Sequence, residues 1–183
     1  MIDVVSSGAG WGAARRRERA ARDEEFAAFV AAATPRLRRT AYLMCRDWHL
    51  AQDLTQLTLA KMYASWPRIW RTADLAAYSR RVLLNAVFDL RKRRSHTEVV
   101  LADLPDHPGQ SGPPAADLHV TLMRALATLP VRDQAIVVLR HWEDHSVDTV
   151  AEILGVSASV VKTQSMRALG RLRDLLGEDF ARQ

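Results

Sequence analysis

The apolar residues of this 183-residue chain recur at helical intervals along most of its length. The first such face follows Glu24 and occupies positions i, i+3, i+4 and i+7 of one helix, as Phe26, Phe29, Val30 and Ala33. Pro35 lies within this repeat and is expected to bend or break the helix. No stretch alternates between apolar and polar residues as a strand would, so the pattern predicts an all-α fold.

Further helices are predicted by the same repeat over about 49–65, from an N-cap at Asp74 to about Arg93, and over about 147–154 and 158–176. The stretch 66–72 breaks the period and is predicted to be a loop or short turn. Residues 95–118 contain four of the seven prolines and no Lys or Arg, which is the composition of a linker. The predicted architecture is therefore two small helical domains joined by a flexible linker.

The predicted domain boundaries follow from these breaks. They are a disordered basic arm over 1–22, a first helical domain over 23–94, an acidic Pro-rich linker over 95–118, a second helical domain over 119–177 and a tail over 178–183. The arm takes its basic character from five arginines between positions 15 and 22. A frayed extension of the following helix and a solvated tail are the alternative interpretations.

A helix-turn-helix is the sharpest local signal. Ser146 is suited to cap one helix, Gly155 to form the left-handed turn after it, and Ser157 to cap the next helix. With Val161 buried, the second helix would present a polar outward face that could enter the major groove of DNA. The alternative is a helical hairpin with a solvated face.

Composition and charge narrow the class of protein. The sequence contains no run of 18 apolar residues, so no membrane span is expected. The amino terminus has no apolar signal stretch, and Cys45 is the single cysteine. We therefore expect a cytoplasmic protein with no disulfide framework and no Cys-rich zinc site. Residues 1–94 carry 18 Lys or Arg against 9 Asp or Glu, which suits a polyanionic partner.

Catalytic motifs are missing from the sequence. The six histidines form no HExxH pattern, and His141 and His145, although four residues apart, have no evident third ligand. There is no P-loop and no GxSxG motif. We predict that the protein is not an enzyme and needs no cofactor and no metal.

Two blocks of motifs resemble extracytoplasmic-function (group 4) sigma factors of bacterial RNA polymerase, which belong to the sigma-70 family. AQDLTQLT at 51–58 resembles region 2.2, and residues 77–94 resemble regions 2.3 and 2.4. TLPVR at 128–132, VLRHWEDHS at 138–146 and AEILGVS at 151–157 resemble region 4. The blocks stand in the family's order around a linker, and the Arg- and Ala-rich style is similar to actinobacterial members.

The resemblance implies a sigma factor that reads the −10 promoter element with its first domain and the −35 element with its second. Implied partners are promoter DNA, the clamp coiled coil of the largest subunit of core RNA polymerase, the flap of the second-largest subunit, and an anti-sigma factor. The 24-residue linker can extend about 80 Å, whereas elements about 17 base pairs apart are about 58 Å apart.

Three sets of site residues are implied by the resemblance together with the predicted outward helix faces. The −35 set is Ser157, Ser159, Val160, Lys162, Thr163, Gln164, Met166 and Arg167. The −10 set is Trp70, Arg71, Arg80, Arg81, Asn85, Arg91, Lys92 and Arg93, with Trp70 as a core residue in the alternative interpretation. The polymerase-binding set is Asp53, Leu54, Gln56 and Leu57.

The chain also departs from the family pattern. Leu57 stands where an acid is frequent, Val160 where threonine is usual, and Gln164 where arginine is common. These departures bear on promoter sequence and on the details of polymerase contact. The rival function is a stand-alone helix-turn-helix regulator that does not bind core polymerase as a sigma subunit.

Overall fold

A computed structural model describes residues 8–71, 74–96 and 114–181 of the chain. Its elements are α1 (Gly8–Cys45), α2 (Trp48–Ile69), α3 (Leu75–His96), α4 (Pro114–Thr128), α5 (Val131–Val137), a one-turn π-helix (Val138–Trp142), α6 (Val147–Leu154) and α7 (Ala158–Ala181). The prediction of an all-α fold is confirmed over these residues.

Helix α1 begins earlier than the sequence pattern predicted. Residues 8–22 are helical, so the predicted disordered arm is wrong for these positions, while residues 1–7 lie outside the described part. Alanine and arginine dominate this stretch and favour helix, and the indole N–H of Trp66 donates to the carbonyl of Arg22 at 3.0 Å. Pro35 lies inside α1 without ending it.

Helix α2 continues past the point where a loop was predicted. It runs through Trp66 to Ile69 because the buried Trp66 ring packs against α1, with ring centroids 5.0 Å from Phe26 and 5.4 Å from Phe29. Residues 70, 71 and 74 are the described part of the connection between α2 and α3. The predicted cap of α3 is confirmed, since Asp74 Oδ1 accepts from the backbone N–H of Ala77 at 2.7 Å.

The predicted linker is too long at both ends. Residues 95 and 96 belong to α3, and residues 114–118 already belong to α4, which starts at Pro114. Proline suits the first position of a helix because its missing N–H would have no helical partner there. The remainder of the linker lies outside the described residues. The tail boundary is also wrong, because α7 continues to Ala181.

The two helical domains pack directly against each other. Helices α1–α3 form the first domain and α4–α7 the second, and α3 contacts both α5 and α6. Buried apolar side chains of both domains join in one core, among them Leu37, Leu84 and Val87 from the first and Ile136 and Ile153 from the second. The linker composition indicated a tether and gave no indication of this docking.

Candidate DNA and polymerase interfaces

The helix-turn-helix has the local geometry that its sequence predicted. Ser146 Oγ accepts from the N–H of Thr149 at 3.1 Å, and Ser157 Oγ accepts from the N–H of Val160 at 3.3 Å. Gly155 adopts φ 65° and ψ 38°, the left-handed conformation that ends α6. These three residues fix where α6 begins, where it ends and where α7, the candidate recognition helix, begins.

One side of α7 anchors it and the other is open to solvent. Val161, Ala168 and Leu172 are buried in the core. The exposed residues of the predicted −35 set are Ser157, Ser159, Val160, Lys162, Thr163, Met166 and Arg167. Met166 retains 70% of its accessible surface, so this face combines cations and hydroxyls with an exposed apolar side chain. Such a mixture suits phosphate oxygens, base edges and thymine methyl groups.

Gln164 lies apart from this face. Its side chain is half-buried and lines a small cleft together with Phe88 of α3 and Arg132, Leu154 and Val156 of the second domain. Gln164 is therefore less accessible than the rest of the −35 set in this arrangement, and its contact with the −35 element stays a prediction.

Two predicted −10 residues on α3 contact the second domain instead of solvent. The Arg80 side chain is 91% buried, and its Nε donates to Glu143 Oε2 at 2.6 Å. Arg81 is exposed as a whole residue, yet its Nε donates to the carbonyl of Ile153 at 3.2 Å and its guanidinium also donates to the carbonyl of Glu152. Neither arginine is free to bind DNA while the domains are docked.

The rest of the predicted −10 set is accessible to different degrees. Asn85, Lys92 and Arg93 are exposed along α3, and Arg91 is exposed while donating to the carbonyl of Met44 at 3.2 Å. Trp70 is half-buried, and the guanidinium of Arg71 lies 4.4 Å from its ring centroid. Trp70 is thus an aromatic surface with a cation on one face rather than a fully buried core residue.

The predicted polymerase-binding residues divide between the surface and the core. Asp53 and Gln56 are exposed on α2, and Leu57 keeps 46% of its surface accessible. Leu54 is buried in the core of the first domain, so its predicted contact with polymerase is wrong. It lies on the packed face of α2 with the buried Ala51 and Thr58, whereas Asp53, Gln56 and Leu57 lie on the exposed face.

The residues that join the two domains were missed by sequence reasoning. Glu143 Oε1 accepts the hydroxyl proton of Thr40 at 2.5 Å, and the side-chain amide of the buried Gln134 donates to the carbonyl of Leu43 at 2.8 Å. Gln134 gave only a weak signal, because it borders the apolar run 135–139 but directly follows Arg132 and Asp133; a polar residue needs a partner when it is buried. Glu143 carried no comparable signal.

Other candidate chemistry has a structural explanation. Cys45 is half-buried, its thiol donates to the carbonyl of Asp47 at 3.2 Å, and burial raises the pKa of that thiol. His141 Nε2 lies 3.3 Å from Ser165 Oγ, whereas His145 Nε2 lies 3.3 Å from Glu143 Oε2. Among the described residues there is no group of three or more potential metal ligands, and no helix there is long and apolar enough to cross a membrane.

Comparison with known proteins places both domains in one family. The Sigma-70 region 2 family model matches residues 29–97, and the Sigma-70, region 4 model matches residues 119–172. The RNA polymerase sigma-E factor of Streptomyces coelicolor is 36% identical over 152 residues, which cover 83% of this chain and 86% of that protein. The ECF RNA polymerase sigma factor SigM of Mycobacterium tuberculosis is 30% identical over 142 residues, which cover 77% of this chain and 71% of that protein.

A solved structure shares the overall arrangement. The sigma factor RpoE of Bartonella quintana, in complex with the anti-sigma factor NepR, aligns with a TM-score of 0.70 at 25% identity and covers 84% of this chain and 98% of that one. The family models, the relatives and the shared fold all agree with the motifs on α2, α3 and the helix-turn-helix. The chain belongs to the sigma-70 family of RNA polymerase sigma factors, as a member of the extracytoplasmic-function type.

Proposed function

We propose that this chain binds core RNA polymerase and directs it to a restricted set of promoters. The observation that carries the proposal is the presence, on one chain, of a region 2 domain and a region 4 helix-turn-helix whose recognition helix is exposed. A stand-alone regulator would have no use for a region 2 domain. The protein acts as a specificity subunit in the cytoplasm and leaves the chemistry of RNA synthesis to the polymerase.

Polymerase binding is assigned to the outer face of α2. Asp53 and Gln56 offer a carboxylate and an amide to a basic or polar partner, and the exposed part of Leu57 adds apolar contact area. The family resemblance points to the clamp coiled coil of the largest subunit as the partner of this face. Region 4 would then contact the flap of the second-largest subunit.

Reading of the −35 element is assigned to α7. Lys162 and Arg167 supply two exposed cations separated by about 140° around the helix axis, so they flank the polar stripe rather than share one line. Arg167 is the candidate base reader because only a guanidinium forms a planar fork against guanine. Val160, whose side chain is exposed, favours contact with a thymine methyl group.

Reading of the −10 element is assigned to α3 and the turn before it. The Trp70 ring with its Arg71 cation suits stacking with an unpaired base, while Asn85 and Lys92 line the accessible part of α3. Arg80 and Arg81 join this surface only after region 4 has moved away. The relative from Bartonella quintana binds an anti-sigma factor, and we propose a regulator of that kind for this chain too.

The experiment is a run-off transcription assay. Purified protein is added to sigma-free core polymerase of Streptomyces coelicolor, and transcription is measured on a fragmented genomic template. Formation of a complex between the protein and core polymerase is measured separately by gel filtration. We expect co-elution with core enzyme and discrete transcripts that core enzyme alone does not make. A protein that binds DNA fragments yet never co-elutes with core enzyme would support the stand-alone regulator instead.

A further inference from the structure

The first turns of α1 form a cationic helix that the proposed function leaves unexplained. This basic extension, residues 8–22, lies outside the part matched by the Sigma-70 region 2 model, which begins at residue 29. Residues 15–19 are four arginines and one glutamate, which gives a net charge of +3. All residues from 14 to 21 are exposed. The extension is therefore a solvated basic helix added to the domain that the family shares.

The carboxyl end of the basic extension is fixed to the first domain. The indole N–H of Trp66 donates to the carbonyl of Arg22 at 3.0 Å. At the next residue, Asp23 Oδ1 accepts from the hydroxyl of Tyr63 at 3.4 Å. Both donors belong to α2. Because α1 is one continuous helix, these contacts also fix the direction in which the extension projects.

The basic extension projects past the turn that carries the candidate −10 stacking surface. Helices α1 and α2 are antiparallel, since Tyr42 stacks on Trp48 at one end of the pair and Trp66 binds Arg22 at the other. The N–H of Trp70, one helical turn after Trp66, donates to the Trp66 carbonyl at 3.0 Å. The ring of Trp70 thus belongs to a residue about 6 Å beyond Trp66, while the arginines reach about 10 Å beyond Arg22 in the same direction.

The arginines of the basic extension have little pairing within the protein. Arg15, Arg19 and Arg22 lie within about 60° of one another around the helix axis, so they form one cationic side. Among the described residues, Arg15 forms no ion pair, Arg19 Nε lies 3.9 Å from Asp23 Oδ2, and Arg22 Nε is buried without a hydrogen-bond partner. Like charges on one helix side repel each other, so an anionic partner would stabilise the extension.

The composition of the basic extension indicates which anionic partner it fits. From Gly12 to Arg22 it contains no apolar side chain larger than alanine, whereas a helix that lies on a membrane needs a face of large apolar residues. Arginine binds phosphate oxygens with several donors at once. Glu24 is nine residues from Arg15 and lies on the opposite side of the helix, so it leaves the cationic side uncompensated. These features favour the phosphate backbone of a nucleic acid.

We propose that the basic extension binds the phosphate backbone of promoter DNA beside the −10 element, as a DNA contact separate from α3 and α7. Its position beside the −10 element rests on the proposed function of Trp70 and Arg71 in that reading. Its binding of phosphate does not depend on that function. The contact adds affinity without adding sequence preference, because phosphate groups carry no base information directly.

Phosphate binding is tested with the full chain alone, by fluorescence anisotropy of a labelled DNA duplex of mixed sequence at several salt concentrations. The test variant changes three exposed arginines of the basic extension to glutamine, and the control makes the same change at three exposed arginines elsewhere, so that both lose equal charge. The test set is Arg15, Arg16 and Arg19, and the control set is Arg36, Arg39 and Arg173.

Each lost phosphate contact lowers the slope of log affinity against log salt by about 0.9. We therefore expect the slope to be shallower by about 2–3 in the test variant and by less than about 1 in the control. A variant with lysine at the three test positions keeps the charge and should retain the slope of the parent. Equal slopes in test variant and control, or a slope lost in the lysine variant too, would overturn the proposal. Unchanged DNA binding with loss of binding to phosphatidylglycerol vesicles would overturn it in favour of a membrane partner.

The position on the promoter is tested in the complex with core polymerase, on a promoter found in the run-off assay. The photo-crosslinking residue p-benzoylphenylalanine replaces Ala20, which is exposed in the basic extension, or Ala31, an exposed control position further along α1. We expect Ala20 to give DNA crosslinks within one helical turn of the −10 element and Ala31 to give none. Crosslinks from Ala20 to polymerase subunits alone would refute this position. If the chain forms no complex with core polymerase, the proposed function fails, whereas the anisotropy measurement still decides whether the extension binds phosphate.

Discussion

The turn of the helix-turn-helix allows a prediction whose size follows from the backbone. Gly155 has φ 65° and ψ 38°, and a Cβ added there would meet no atom within 4 Å. The cost of Gly155→Ala is therefore conformational only, about 1–2 kcal/mol for a non-glycine residue in the left-handed region. At about 2–4 °C per kcal/mol for a chain of this size, the melting temperature should fall by about 2–8 °C.

Gly170→Ala is the matched control for this substitution. Gly170 lies within α7, a Cβ there also meets no atom within 4 Å, and its φ is not positive. Alanine is favoured over glycine inside a helix, so this variant should be more stable than the parent by about 0.5–1 kcal/mol. Asparagine tolerates the left-handed region, so Gly155→Asn should lose less stability than Gly155→Ala does.

The assay is urea unfolding of the full chain followed by circular dichroism, with thermal melts alongside. Opposite signs for Gly155→Ala and Gly170→Ala are the expected result. Equal stability of Gly155→Ala and the parent would refute the reasoning, since it would mean that the turn does not need the left-handed conformation. Loss of stability in both variants would contradict the assignment of the cost to the positive φ of Gly155, because Gly170 lies in a helix without a positive φ.

Three further outcomes are expected. Asp53→Ala should weaken binding to core polymerase in a titration without lowering the melting temperature, because Asp53 is exposed. Glu25→Ala, at an exposed position of α1, should change neither the binding nor the melting temperature. Lys162→Ala should weaken DNA binding uniformly and flatten its salt dependence, whereas Arg167→Ala should cost about 1–3 kcal/mol and relax one base position in a −35 selection; unchanged base preferences in Arg167→Ala would refute the assigned roles. The N–H of Leu50 holds the pKa of the Asp47 carboxyl below its usual range, so its contribution to stability is present above pH about 4 and lost as pH falls further, and Asp47→Asn should lack this dependence in acid unfolding.

The local features of the fold could be predicted from sequence because they depend on neighbouring residues. Ser146, Gly155 and Ser157 act within their own turns, and each has the expected capping or left-handed geometry. The end of α2 near Trp66 could not be predicted, because packing of Trp66 against α1 extends that helix beyond what the apolar repeat indicates. The helix over residues 8–22 has no apolar repeat, and its only sequence signal is the helix-favouring composition of alanine and arginine.

In the candidate site, too, local features could be predicted from sequence, whereas features that depend on domain packing could not. The outward face of α7 follows from the helical period once Val161 is buried, so its exposed residues could be named in advance. The burial of Arg80 and the half-burial of Gln164 depend on where the second domain docks. A linker composition gives the reach between domains and carries no information about a docked orientation, and a single carboxylate such as Glu143 looks like any surface acid in sequence.

The central claim is that one chain guides polymerase to two separated promoter elements. The most direct measurement is run-off transcription with core polymerase from a library of templates randomised across the upstream promoter, with the transcribed templates sequenced. We expect two conserved blocks at a fixed spacing of about 17 base pairs, which is about 58 Å. Transcripts that depend on a single block, or no transcripts above those of core enzyme alone, would contradict it.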